Sequence, residues 1–192
     1  MTSIPKHLQD AKTLLSENGF ATGDTWYHGT SSALLASIQG QGLKRSGDKA
    51  LNEAASKTMA TIGNNYTESV EPVFLTQSKE LAYYWAQQTI RERSTRFEGE
   101  EQPIVLAVNL SDKQQAKVRP DVGAMSLLMM SVGEQFMSHL TEIYQENNIA
   151  GPDIELRTAD RMDYLNKLGM AYIDENISRA CVQELLEPEL TS

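Results

Sequence analysis

Trp26-Tyr27-His28-Gly29-Thr30-Ser31 is the stretch whose residue types and spacing bear most directly on chemistry. Side chains alternate along a strand, so His28 and Thr30 fall on one face, an imidazole and a hydroxyl two residues apart. Gly29 lies between them, and its missing Cβ lets a ligand approach the backbone closely. A helix starting at Thr30-Ser31 would offer free N–H groups and the positive end of its dipole to an anion. A lone histidine at a strand end is usually a buried, satisfied imidazole; six residues in this order, followed by Ile38 and Gly42-Leu43, say more. Lys44-Arg45 comes next, and Arg91, Arg93 and Arg96 follow later. Either set has the charge to hold a pyrophosphate or a target strand, although charge runs at helix ends are commonly solvated surface. Met125, Met129 and Met137 recur at helical spacing, as core or as an adaptable binding face. Cys181 reads as a small core residue.

Tyr-His-Gly-Thr, then a helix, then Gly-Leu resembles the first motif of the ADP-ribosyltransferase superfamily. The branch is the one containing the poly(ADP-ribose) polymerases and the RNA 2′-phosphotransferases. The resemblance implies that His28 and Thr30 orient the two ends of NAD, with Tyr27 and Gly29 beside them and Arg45 on phosphate. Pro72-Val73-Phe74-Leu75-Thr76, followed by Ser78 to Ala86, resembles the family's second motif, a strand and then a helix. By that likeness Phe74 and either Tyr83 or Tyr84 sandwich the nicotinamide. A flat ring face fixes the pyridinium and stabilises its charge.

The third motif departs from the pattern. The polymerases carry a Glu on a late strand, about four residues before the apolar residue that ends it. With Ile177 as that residue, the position falls on Ile173. A carboxylate matters because nicotinamide departure leaves a ribosyl oxocarbenium ion. Glu175, two residues on and on the same face about 6.5 Å further along a strand, is the expected replacement beside His28 and Tyr83. Glu184 takes that role if the terminal segment is the active strand, and Asp174 is a further neighbouring acid. In the RNA 2′-phosphotransferases this position is apolar too, and arginines replace the acid.

These residues need elements to position them. Lys6 to Asn18 has the spacing of an amphipathic helix stopped by Gly19, and Thr25 to His28 has strand composition. Thr30 and Ser31 cap a helix ending at Gly40 or Gly42. Gly47 to Glu71 reads as a long loop with a short helix. Pro72 to Thr76 is a strand, Ser78 caps the next helix, and Ile104 to Val108 is the clearest buried strand. Val122 to Glu146 is mostly helix by its apolar repeat, broken at Gly151-Pro152. Thr158 to Leu168 is another helix, closed by Gly169, and at least one of Met170 to Ile177 and Ala180 to Leu186 is a strand. The pattern lacks a clean βαβ rhythm and favours α+β. With the resemblance, the expectation is one domain over 1–192: a split antiparallel β-sheet, flanking helices and a helical insertion at about 120–168.

Composition bounds the function. The chain has 192 residues, a net charge of −9, a single cysteine and three histidines, too few for a disulfide framework or a cysteine-rich metal site. No metal is expected, nor a membrane partner. No apolar run reaches the roughly 20 residues of a membrane span, and residues 1–20 lack signal-peptide features. The expected location is cytoplasmic, or a target cell if the chain is a delivered effector. Residues 1–96 hold 10 basic and 9 acidic side chains; residues 97–192 hold 7 and 17. That balance argues against nonspecific DNA binding but leaves room for a nucleotide or RNA at a local site in the first half. The first reading is a mono-ADP-ribosyltransferase using NAD as substrate, acting on a protein, RNA or DNA acceptor as a toxin or effector, with an antitoxin or other protein partner. An RNA 2′-phosphotransferase is the second; only 27 residues precede His28, too few for its usual N-terminal winged-helix lobe. The third is a non-catalytic binding protein on the same fold.

Overall fold

The structure is a computed structural model that describes residues 3–45, 48, 50, 52–53, 56–57 and 70–188. The long loop expected over Gly47 to Glu71 lies largely outside them. The strands are β1 (Leu15–Ser16), β2 (Gly19–Phe20), β3 (Thr25–Ser31), β4 (Val73–Leu75), β5 (Pro103–Asn109), β6 (Arg119–Pro120), β7 (Ala171–Ile173) and β8 (Val182–Glu184). The helices are α1 (Ala11–Leu14), α2 (Ser32–Gln41), α3 (Lys79–Ser94), α4 (Asp112–Gln115), α5 (Met125–Leu128), α6 (Ser131–Glu146) and α7 (Arg161–Asn166). The chain is α+β, with small antiparallel sheets.

β5, the apolar run of the sequence, is the middle of a β3-β5-β8 sheet. A second sheet has the order β4-β7-β6. One face of the first sheet and the inner face of the second close around Trp26, Leu106, Val108, Val73, Leu75 and Ile173. α3 lies across the other face of β3 and β5, with Ala82 and Tyr83 packed on Val105. Its far side carries Leu81 and Tyr84 into a separate cluster with Phe136, Leu140, Tyr144 and Tyr164. From 121 to 168 the chain has no strand, and it supplies the wall that buries α3's second side.

Local chemistry places the ends of these helices. Ser31 caps α2 by accepting from the Ala33 N–H (3.1 Å). Ser78 caps α3, accepting from the Glu80 N–H (3.2 Å). The Asp10 carboxylate completes that cap, taking the Ser78 hydroxyl (2.8 Å) and the Lys79 N–H (2.9 Å). The expected helix over Lys6 to Asn18 is replaced by a 3-10 turn (Lys6–Leu8), the one-turn α1 and the β1-β2 hairpin. The physical reason is packing: turning at Asn18-Gly19 brings Leu14, Leu15 and Phe20 onto one cluster. Gly19, at φ 102°, lets that turn touch the end of α7, where a Cβ would stand 2.1 Å from the Asn166 carbonyl. Among the described residues no helix is long and apolar enough to cross a membrane.

Beneath the α3 cap sits Glu80, 8% exposed, its pKa pushed up to about 7 by burial first, then by the Asp10 carboxylate. Backbone N–H groups of Ala11 and Asp10 work in the opposite direction, and Glu146 adds to the rise. An acid whose folded pKa exceeds its ordinary 4.5 favours the folded state fully below that value and loses the contribution as pH rises through about 7. Glu80→Gln keeps an acceptor for those N–H groups and removes the titration. Urea titrations should show wild type losing about 2–3 kcal/mol relative to Glu80→Gln between pH 5 and pH 8. Parallel pH profiles for the two proteins would refute the assignment.

Candidate functional site

The two sheets are joined at a single antiparallel bridge between β3 and the end of β4. The Tyr27 N–H donates to the Thr76 carbonyl (2.8 Å) and the Thr76 N–H to the Tyr27 carbonyl (3.0 Å). In a continued ladder the next such pair would be Gly29 with Phe74. The strands part instead, and the Phe74 carbonyl accepts from the His28 ring at Nδ1, 2.8 Å away. A carbonyl only accepts, so Nδ1 carries the proton and Nε2 of the neutral ring is an acceptor. Burial lowers the His28 pKa, with the Phe74 hydrogen bond working against it, so the ring is neutral at pH 7.

Gly29 is left facing the gap. Its N–H and C=O point to the same side as those of Tyr27, away from β5. Val105, opposite Gly29, uses its carbonyl on the Leu185 N–H (3.0 Å), which makes Gly29–Val105 the pair without mutual hydrogen bonds. Among the described residues Gly29 therefore offers one donor and one acceptor at the point where the sheets separate. The residue has to be glycine because α3 presses on it: a Cβ would lie 1.9 Å from the Ala82 carbonyl oxygen and 2.6 Å from the Ala86 nitrogen.

The other expected site residues are distributed unevenly around this gap. Phe74 borders it and is 44% exposed. Tyr27 is half-buried, with the Lys79 ammonium 5.8 Å from its ring centre. Thr30 shares the His28 face but is buried at 2% exposure. Tyr83 lies on the Tyr27 and Gly29 side, buried with Leu8, Ala82 and Val105. Tyr84 turns to the far side of α3, 1% exposed, stacked on His139 at 4.9 Å and edge-on to Phe136. The expectation that one of the pair faces a cleft meets two buried rings, because α3 is covered on both sides; Tyr84 is spent on the core and does not line the gap.

The late carboxylates stand apart from His28. Ile173 is fully buried opposite Val73, in the core between the sheets. Glu175 lies three residues beyond Tyr172, the partner of Phe74, roughly 10 Å along the strand direction. It is tied to Lys117 (2.5 Å), which holds its pKa below the ordinary value. Glu184 pairs with Leu106, and Leu106 with His28, so the three form one row across β8, β5 and β3. Glu184 thus faces the same side as His28 about 10 Å away, two strand spacings. It borders a small pocket between α2 and the sheet with Leu35, Ile38 and Arg179.

The arginines are partly occupied. Arg45 pairs with Asp174 (2.7 Å), and its N–H donates to Asn176 Oδ1 (2.8 Å), where Leu43 bridges Ile177. Arg93 is 6% exposed and bound to Glu101 (2.8 Å) and Asp48, so it is a structural cation and not a pyrophosphate ligand. Glu101 in turn accepts from the Ser31 hydroxyl at the start of α2. Arg91 donates to Gln135 (2.8 Å). Among the described residues no group of three or more His, Cys, Asp or Glu side chains converges as a metal site would require. Two residues missed by the sequence reading, Tyr172 and Arg119, are neighbours of Phe74 on the outer face of the second sheet. The alternation of Ala171-Tyr172-Ile173 was a signal for the first; nothing in the sequence marked the second.

No protein-family profile matches this sequence, and no curated protein or solved structure matches the chain.

The contact of α3 on Gly29 makes a strong demand on the sequence. Gly29→Ala should destabilise the fold by about 1–3 kcal/mol, the usual cost of forcing an extra carbon into a packed site. Thermal unfolding measures it, and an unchanged midpoint would mean that α3 does not rest on β3 as described.

Proposed function

We propose that the gap between the two sheets receives the nicotinamide end of NAD and that the chain transfers ADP-ribose to a macromolecular acceptor. The observation that carries this reading is the N–H and C=O of Gly29, unpaired among the described residues, beside the exposed ring of Phe74. A carboxamide presents the complementary pair, a carbonyl and an NH2, and its pyridinium suits an aromatic face. His28 Nε2 supplies an acceptor for a ribose hydroxyl. The two sheets meeting at one bridge, with α3 across the first, support the split sheet that the sequence resemblance implies.

In such a transfer the C–N glycosidic bond breaks and nicotinamide leaves with the electron pair. The acceptor then donates a pair to the ribosyl cation and loses a proton. A carboxylate nearby would oppose the growing positive charge. Of the two candidates, Glu184 is favoured by its place on the His28 face and by having no ion pair among the described residues, whereas Glu175 is neutralised by Lys117. The setting would be the cytoplasm, or a target cell, with a protein or nucleic-acid acceptor and a protein partner of the antitoxin kind.

A second reading, a domain that binds NAD without cleaving it, is favoured by the burial of Ile173 at the position where an acid is expected. Nicotinamide release from labelled NAD, alone and with lysate, separates the two.

Two outcomes follow. Calorimetry should show His28→Ala binding NAD about five- to 150-fold more weakly, the cost of one lost buried hydrogen bond of ~1–3 kcal/mol; equal affinities would refute the site. Where nicotinamide is released, Glu184→Gln should slow release about 10²–10³-fold and Glu175→Gln should leave it within a few-fold. The reverse order would move the reaction to the Lys117 side of the sheet.

A further inference from the structure

We infer that the outer face of the β4-β7-β6 sheet seats a single-stranded nucleic acid, and that this strand is the acceptor if the transfer reading above holds. Phe74 pairs with Tyr172, and Tyr172 pairs with Arg119, so three side chains from three strands form one row. Their neighbours Val73, Leu75, Ala171 and Ile173 point the other way, into the core. The row is therefore the solvent face, with Phe74 and Arg119 exposed and Tyr172 partly so. Among the described residues neither ring contacts another ring.

Charge completes the match. Arg119 NH1 donates to the carbonyls of Ala116 (2.8 Å) and Val118 (3.0 Å), which fixes the guanidinium without neutralising it. The carboxylates close to it in sequence or along β7 are engaged elsewhere. Asp174 holds Arg45, Glu175 holds Lys117, and Asp121 accepts from the Ala124 N–H (3.2 Å). A partly exposed aromatic ring one strand away from an unneutralised planar cation fits an unpaired base joined to a phosphate. Base stacking on sheet aromatics with one arginine on the backbone needs no broad basic surface, which a chain of net charge −9 does not have. A base on Tyr172 would sit beside Phe74 and the gap.

The test uses fluorescence anisotropy of the full chain, without NAD, on a short labelled single-stranded DNA, the matching RNA and a duplex of the same sequence. Wild type should bind one or both single strands more tightly than the duplex. Salt dependence should be shallow, with a slope near −0.7 for one phosphate contact. Tyr172→Ala should weaken binding about five- to 150-fold, the range of one lost stack, and Tyr172→Phe should retain it. Arg119→Gln, on the solvent face and independent of the ring, should flatten the salt slope; it decides the matter if Tyr172→Ala fails to fold. Failure of wild type to bind either strand, or equal binding by folded variants, would overturn the inference; so would preference for the duplex. NAD affinity measured on the same proteins stays separate: loss of strand binding with NAD retained sinks only this inference, and the converse sinks only the NAD reading.

Discussion

The contact between the backbone of α3 and Gly29 governs how the rest of the molecule is arranged. With no Cβ at that position the helix lies directly on β3, close enough that any side chain would strike Ala82 and Ala86. At that depth α3 is buried on two sides at once. One side sends Ala82 and Tyr83 to the sheet; the other sends Leu81 and Tyr84 to the segment from 121 to 168. The depth at which α3 packs is thus the consequence of a single missing carbon.

A buried ionic chain keeps that arrangement rigid from the far end. Arg93, in the last turn of α3, binds Glu101 just before β5, and Glu101 receives the Ser31 hydroxyl where β3 passes into α2. Breaking one member would strand the others in a region of low polarity, which is why such networks resist piecemeal change. It also fixes the distance between α3 and the His28 end of β3 from both directions: sterically at Gly29 and electrostatically at Arg93. The site's geometry is an outcome of these two constraints rather than of the side chains that line it.

Much of the fold was legible because local signals were strong and mutually consistent. Ser31 and Ser78 announced their helices, Ile104 to Val108 its buried strand, and Phe136, Leu140 and Ile143 the stripe of α6. The hairpin at Leu15 to Phe20 was not, because Leu8, Ala11, Leu14 and Leu15 carry helical spacing into its first strand and only the tertiary cluster joined by Leu14, Leu15 and Phe20 rewards the turn. At the site, His28, Gly29 and Phe74 were visible as a pattern. The pairing of Tyr84 with the core was hidden, since a residue next to a site tyrosine lies about 100° round the helix and composition cannot say which side is covered. Arg93 looked like a surface charge because no local spacing marks Glu101, past the helix end, or Asp48 as its partners. Arg119 gave no sign at all, for its importance comes only from the strand beside it.

The cap on α3 also says something about how the chain reaches this state. Ser78 is closed by Asp10 from 68 residues earlier, and Thr25 meets Asn109 from 84 residues away. β4 waits longest, for β7 to be made near the end of the chain. Among the described residues the consecutive strands that pair within a sheet, β6 and β7, are separated by about 50 residues, and the short hairpin β1-β2 stands outside both sheets. Loop-closure entropy must be spent before most of the pairings return anything, which places such a topology among the slower folders. During synthesis β3 and β4 therefore emerge with open edges long before their partners exist, and the newborn chain is at its most adhesive just where the finished one keeps its gap.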